Sequence, residues 1–202
     1  LSVKNTRTVG EYCWTCTSST ILYVLKNYQV QSCTYLDADI YFFSDPKILI
    51  DEMGEKSVLI TEHRYTPEYD QSAISGKYCV QFITFKNDQN GLNILNWWRD
   101  ACIKWCYGKA EDGKFGDQKY LDDWMVRFDG VCELKNLGGG VAPWNVREFV
   151  TDQEIKKAGL NPENFDIKGK PTANEARREV VRQEIARQLA EYDMTIDDVD
   201  LS

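Results

Sequence analysis

The sequence predicts an α/β fold: a largely parallel or mixed sheet flanked by helices over residues 1–150, then a small helical appendage over 151–202. Three observations carry this expectation. Short apolar, β-branched and aromatic runs alternate with longer stretches at helical spacing, the pattern of strands interleaved with helices. Composition changes near residue 150: residues 1–150 hold all six Trp and all seven Cys, and 151–202 hold neither. With 202 residues, 43% hydrophobic and 28% charged, the first region is long enough to bury a core in the manner of an ordinary globular domain.

In order, Glu11 to Asn27 reads as a helix with Tyr12, Cys16, Ser19, Tyr23 and Asn27 on one face. The run Cys33-Thr34-Tyr35-Leu36 reads as a buried strand ending at Asp37. Asp45-Pro46 opens a short helix through Met53, with Asp45 at the N-cap and Pro46 at the first helical position. Ser57 to Thr61 and Tyr78 to Phe85 are the next strands. The turn at Asn87–Gly91 leads to a long helix, Leu92 to Tyr107, whose Trp97, Trp98 and Trp105 fall at core spacing. Asp117 then caps a helix running through Trp124, and Val131 to Leu134 is a short strand. Gly138-Gly139-Gly140 is a flexible turn before Trp144-Asn145. In the tail, Thr151 caps a short helix, and Thr172-x-x-Glu175 is a capping box for a helix to about Tyr192. The apolar stripe of that last helix is narrow, so it packs on something or pairs with another copy.

A net charge of −8 argues against a nucleic-acid-binding surface as the main function. No run of 18 or more apolar residues and no secretory signal pattern is present, so no transmembrane segment is expected and the simplest compartment is the cytosol. The seven cysteines match no disulfide framework. Cys13/Cys16 and Cys102/Cys106 have spacings open to a zinc or redox pair, but they sit in helix-like, aromatic-rich segments where a free Cys acts as a small hydrophobe. The acidic tail carries 8 Lys+Arg against 12 Asp+Glu and reads as a solvated helical surface.

The chemistry concentrates at Asp37-Ala38-Asp39. Unpaired carboxylates beside a core are costly, and residues i and i+2 of an extended chain point to one side. Both carboxylates could therefore hold one hard cation, Mn²⁺ or Mg²⁺, together with the phosphates of a ligand. The competing reading is a strand end whose aspartates cap the following turn. Asp117 has the same two readings, helix cap or functional acid. His63, the only histidine, reads as a solvated loop residue.

The ordered series Glu11-Tyr12-Cys13-Trp14-Thr15, Tyr35-Leu36-Asp37-Ala38-Asp39, Phe43-Ser44-Asp45-Pro46, Gly116-Asp117-Gln118-Lys119-Tyr120-Leu121 and Ala142-Pro143-Trp144-Asn145 resembles bacterial nucleotide-diphospho-sugar transferases of the GT-A type, relatives of the family-8 glycosyltransferases. The resemblance covers about residues 7–146. It implies a partial GT-A, Rossmann-like mixed sheet and a metal-dependent glycosyltransferase that takes a nucleotide-diphospho-sugar donor and an acceptor left open. Asp37 and Asp39 would match the D-x-D pair that binds the metal and, through it, the diphosphate. Asp117 and Gln118 would match the step facing the donor sugar, and Trp144 and Asn145 would lie near the sugar or acceptor. The family's metal-completing histidine belongs to a different motif, so His63 is not assigned to it. Only 36 residues precede Asp37, so the family's N-terminal nucleotide-binding strands are expected to be missing, and nothing familiar follows Asn145. The rival reading is a non-catalytic α/β scaffold whose C-terminal helix mediates binding or homo-oligomerisation.

Overall fold

A computed structural model describes residues 2–40, 42, 45–142, 144 and 145. The helical appendage expected over 151–202, and the oligomer contact expected of it, lie outside the described residues, as do Phe43, Ser44 and Pro143. After a 3₁₀ turn at Ser2–Thr6, the elements are α1 (Val9–Tyr28), β1 (Ser32–Leu36), α2 (Lys47–Asp51), β2 (Val58–Glu62), α3 (Ser72–Ser75), β3 (Tyr78–Lys86), α4 (Gln89–Lys104), α5 (Trp124–Arg127) and β4 (Val131–Glu133). Further 3₁₀ turns cover Pro67–Tyr69 and Lys119–Asp123.

The four strands form one mixed sheet in the order β1-β3-β2-β4. β3 is antiparallel to both β1 and β2, and β2 is parallel to β4. Thus β1, β2 and β4 run the same way and deliver their carboxyl ends to one edge. The register of β2 against β3 shifts between Leu59 and Thr61. A bulge of this kind bends a strand and re-aims its side chains.

α1 and α4 cover one face. Ile21, Leu22 and Leu25 of α1 and Ile94, Leu95 and Trp98 of α4 pack on Val58, Ile60, Ile83 and Phe85, with Leu121 and Trp124 closing the cluster. Trp98 and Trp124 are fully buried and meet edge to face, their ring centroids 5.7 Å apart. This geometry adds to the burial of two large rings. Trp97 packs against the same core, as the helical spacing predicts; Trp105 does not, because α4 ends at Lys104 rather than Tyr107 and Trp105 is already extended, half-buried against Tyr107. The other face carries a smaller cluster of Leu49, Met53, Leu59, Phe82 and Leu134.

Local chemistry sets the helix ends. Thr8 and Glu11 form a capping box at the start of α1, satisfying two N–H groups that the first turn leaves open. The aromatic face of α1 turns outward, with Tyr23 60% exposed, because Ile21, Leu22 and Leu25 offer the sheet a more apolar stripe. Asp88 caps α4 by accepting from the Gly91 N–H at 2.8 Å, so the expected turn at 87–91 is the first turn of the helix. Asp45 accepts from the Lys47 N–H at 2.8 Å, although α2 begins after Pro46 and ends at Asp51 rather than Met53. Asp117 is not the cap expected of it. The 3₁₀ turn after it has Gln118 at its start with no side-chain cap, and the helix through Trp124 divides into that turn and α5. All seven cysteines are free thiols. Among the described residues, no helix is long and apolar enough to cross a membrane.

Candidate functional site at the carboxyl edge of the sheet

In open α/β sheets, ligands bind beyond the carboxyl ends of strands, and the residues singled out in the sequence gather along that edge. β1 stops at Leu36, and the Asp37 N–H makes one last bond to the Gln81 carbonyl at 3.1 Å. Ala38 and Asp39 then form a turn. The two aspartates are therefore neighbours on a turn, and not successive same-side residues of an extended strand. Asp37 is half-buried and Asp39 exposed.

Tyr35 donates its phenolic proton to Asp37 Oδ1 at 3.0 Å. Burial raises the Asp37 carboxyl above the usual range, and the charge of Asp39 adds to this, against the Tyr35 hydrogen bond. Asp117 is only 5% exposed. Burial lifts its carboxyl from 3.8 to about 7, with the charge of Asp37 acting in the same direction. The Thr17 hydroxyl of α1 donates to the Cys13 carbonyl at 3.4 Å, and it lies close enough to the Asp117 carboxyl and the Tyr35 phenol to lower the pKa of each, against their burial. Thr17, Tyr35, Asp37 and Asp117 thus form one polar cluster under the end of β1. Among the described residues, none of the ion pairs involves Asp37, Asp39 or Asp117.

This donor set suits a hard cation. It consists of oxygens, its carboxyls have no cationic partner among the described residues, and burial, with the neighbouring carboxylates adding to it, raises the Asp37 and Asp117 carboxyls. Among the described residues, no group of three or more His, Cys, Asp or Glu is placed to hold a metal ion. A cation there would take Asp37 and Asp39 and complete its shell with phosphate and water oxygens, as Mg²⁺ commonly does.

Gln118 lies beside Asp117, but its side-chain amide donates to the Ser75 carbonyl at 2.8 Å. Lys119 donates to Ser72 O at 2.6 Å, and Asp122 Oδ1 accepts from the Lys77 N–H at 2.7 Å. The segment after Asp117 therefore clamps the approach to β3. Gly76 permits this, because its φ is +105° and a Cβ there would meet Asp122 Oδ1 at 2.9 Å.

At the end of β2, His63 is 4% exposed, which corrects the expectation of a solvated loop residue. Its Nδ1 sits 3.2 Å from the Lys77 carbonyl, and its ring stacks on Tyr65 with centroids 4.6 Å apart. Burial holds its pKa below the ordinary value, against the pull of that carbonyl. Further partners of His63 come from a segment 81 and 82 residues away. Trp144 Nε1 and Asn145 Nδ2 donate to the His63 carbonyl at 3.0 and 2.6 Å. Asn145 is fully buried; its amide also donates to Gly140 O at 3.0 Å and accepts from the Ala142 N–H at 2.8 Å. The structure thus places Asn145 as a clasp and Trp144 as a half-buried ring 6.1 Å from Tyr65.

Sequence reasoning missed Thr17, Tyr35 and Arg64. Arg64 donates to the carbonyls of Leu134, Asn136 (3.2 Å) and Gly139 (3.0 Å), fixing the glycine turn expected to be flexible. The signal for Thr17 was present. Thr15 to Thr20 is a run of small hydroxyl residues and Cys within a helix, where they are poor formers.

The chain is 34% identical over 153 residues to Uncharacterized protein YfnF of Bacillus subtilis (strain 168), covering 72% of the chain and 50% of that protein. It is 29% identical over 161 residues to Uncharacterized protein YfnD of the same organism, covering 76% of the chain and 51% of that protein. The chain spans about half the length of the curated relatives it matches. No protein-family model and no solved structure matches it.

Proposed function

We propose that this chain carries the metal and donor-sugar part of a glycosyltransferase that uses a nucleotide-diphospho-sugar. The observation that supports this most is the polar cluster itself. Asp37, at the carboxyl end of β1, lies close enough to the buried Asp117 for its charge to raise that carboxyl, and Tyr35 donates to Asp37 at 3.0 Å; a D-x-D pair set beside an Asp-Gln step is the arrangement this reading uses. In this reading Asp37 and Asp39 hold Mn²⁺ or Mg²⁺ on the diphosphate. The cation supplies Lewis-acid stabilisation of the charge that develops on the departing diphosphate. Asp117, whose carboxyl burial pushes up to about 7, accepts hydrogen bonds from donor-sugar hydroxyls or donates one to them. Gln118 holds the neighbouring backbone in register, and Tyr35 and Thr17 orient the two carboxyls.

The test is thermal unfolding with Mn²⁺ plus UDP or GDP. A ligand that binds only the native state raises the midpoint, and at a hundredfold excess over Kd the gain is about 2.7 kcal/mol. Asp39→Asn removes one metal ligand from an exposed turn and should abolish the metal-dependent part of the rise. If neither nucleoside diphosphate moves the wild-type midpoint, with or without metal, the transferase reading fails and the scaffold reading takes its place.

A further inference from the structure

Beyond the carboxyl end of β2 lies a hollow of about 190 Å³, lined by Glu62, Arg64, Tyr65, Asp70, Ser72 and Lys77. It is separate from the Asp37–Asp117 cluster, since β3 stands between β1 and β2. We propose that this hollow binds a neutral saccharide ring, the hydroxyl-bearing acceptor of the transfer. Naming the occupant an acceptor rests on the transferase reading; that the hollow takes a sugar does not.

Charge narrows the ligand first. The two carboxylates and two cations of the wall cancel, so a net anion or cation gains nothing from the lining as a whole. The cations are also engaged elsewhere. The Arg64 guanidinium is turned to the three carbonyls of the loop after β4, and Lys77 is held by Glu133 at 3.0 Å and by the Tyr78 hydroxyl at 3.2 Å. What remains for a guest is mainly acceptor capacity. Glu62 is only loosely paired with Lys77, at 3.7 Å. Asp70 Oδ1 takes the Ser72 N–H at 2.8 Å, leaving further lone pairs on the carboxylate. Carboxylates with spare lone pairs suit a ligand rich in O–H donors.

The aromatic wall fits the other surface of a sugar. Tyr65 cannot swing freely, because its ring is stacked on His63 at an interplanar angle of 12° and its hydroxyl lies 3.0 Å from Ser75 Oγ. Trp144 stands beside it. A fixed ring offers apolar contact to the C–H face of a pyranose at little entropic cost. The hollow is also tied mechanically to the proposed donor site. Lys119 and Gln118, next to Asp117, hold the Ser72 and Ser75 carbonyls. One short segment thus sets the position of both Asp117 and the wall of the hollow.

The experiment titrates the ¹⁵N-labelled chain with the methyl glycosides of glucose, galactose and mannose, using inorganic phosphate as the anionic comparison, and follows the amides of Tyr65, Ser72 and Lys77. At least one glycoside should shift these amides saturably while phosphate does not. Asp70→Asn keeps the turn to Ser72 but removes the charged acceptor, and it should weaken binding about tenfold or more. Tyr65→Phe keeps the stacked ring and should still bind; Tyr65→Ala should not. The proposal is overturned if no glycoside shifts the three amides, if phosphate shifts them instead, or if Asp70→Asn binds as well as wild type. The thermal shift with Mn²⁺ plus UDP or GDP, read on the same wild-type sample, separates the two claims. Glycoside binding without that shift supports the hollow and refutes the transferase, and the shift without glycoside binding does the reverse.

Discussion

Asp117→Asn should make this protein more stable at pH 8 and leave it nearly unchanged near pH 4. The side chain is 5% exposed, among the described residues it has no cationic partner within ion-pair distance, and burial lifts its carboxyl from 3.8 to about 7. A carboxyl with a raised folded-state pKa keeps its proton when the unfolded chain has lost it. Its contribution is therefore fully favourable below pH 3.8 and declines as pH rises toward 7, above which the folded state carries the whole cost of a buried charge. Each tenfold change in the proton equilibrium is worth about 1.4 kcal/mol, so the cost reaches about 4 kcal/mol above pH 7. Asparagine keeps the shape and an acceptor for Thr17 but cannot ionise. Trp98 is unaffected, since its Nε1 donates to the backbone carbonyl of residue 117, at 2.9 Å. The assay is urea unfolding of both proteins from pH 4 to pH 8.5 in EDTA, so that no cation neutralises the cluster. The variant's advantage should grow through that window and level off above pH 7. A stability difference independent of pH would refute the assignment of a buried, near-neutral carboxyl to Asp117.

Two further predictions concern the loop that brings Trp144 to the site. Arg64→Ala should destabilise by about 2–3 kcal/mol, because three carbonyls lose a charged donor. Arg64 also adopts φ +48°, so Arg64→Gly, which relaxes that backbone, should be about 1 kcal/mol less harmful than the alanine change. Equal losses by chemical denaturation would show that the backbone there carries no strain. Gly140→Ala should cost about 1–3 kcal/mol, since φ is +83° and the added Cβ would meet Thr61 Cγ2 at 2.8 Å. It should also shift the amide signals of Trp144 and Asn145, and a variant silent in both readouts would show that the turn is not held as described.

The parts legible in the sequence are those governed by local rules. The strand at Cys33–Leu36, the turn at 87–91 leading into α4, the Asp45 cap and the spacing of Trp97 and Trp98 in α4 each depend on neighbours within a few residues, through periodicity or capping. Asp37 and Asp39 stand out for the same reason, as two charges set against an apolar run. The fate of Asp117 was not legible, because an aspartate before a helical turn is a good cap anywhere, and only the packing of α1 over β1 decides that this one is buried instead. His63 was misjudged on similar grounds: besides its neighbour Tyr65, its ring meets Lys77 and Trp144, which come near only when the chain has returned through β3 and passed β4.

The sequence by itself determined the class of elements, their order and the presence of an acidic pair at a strand end, since each of these is written in side-chain spacing. The tertiary structure alone decided the antiparallel placement of β3, the approach of the buried Asp117 to Asp37, and the clasp that Arg64, Thr66 and the His63 carbonyl form with residues 134, 136, 139, 144 and 145. These are contacts between residues tens of positions apart. Their energies depend on burial and on distance, and spacing along the chain fixes neither.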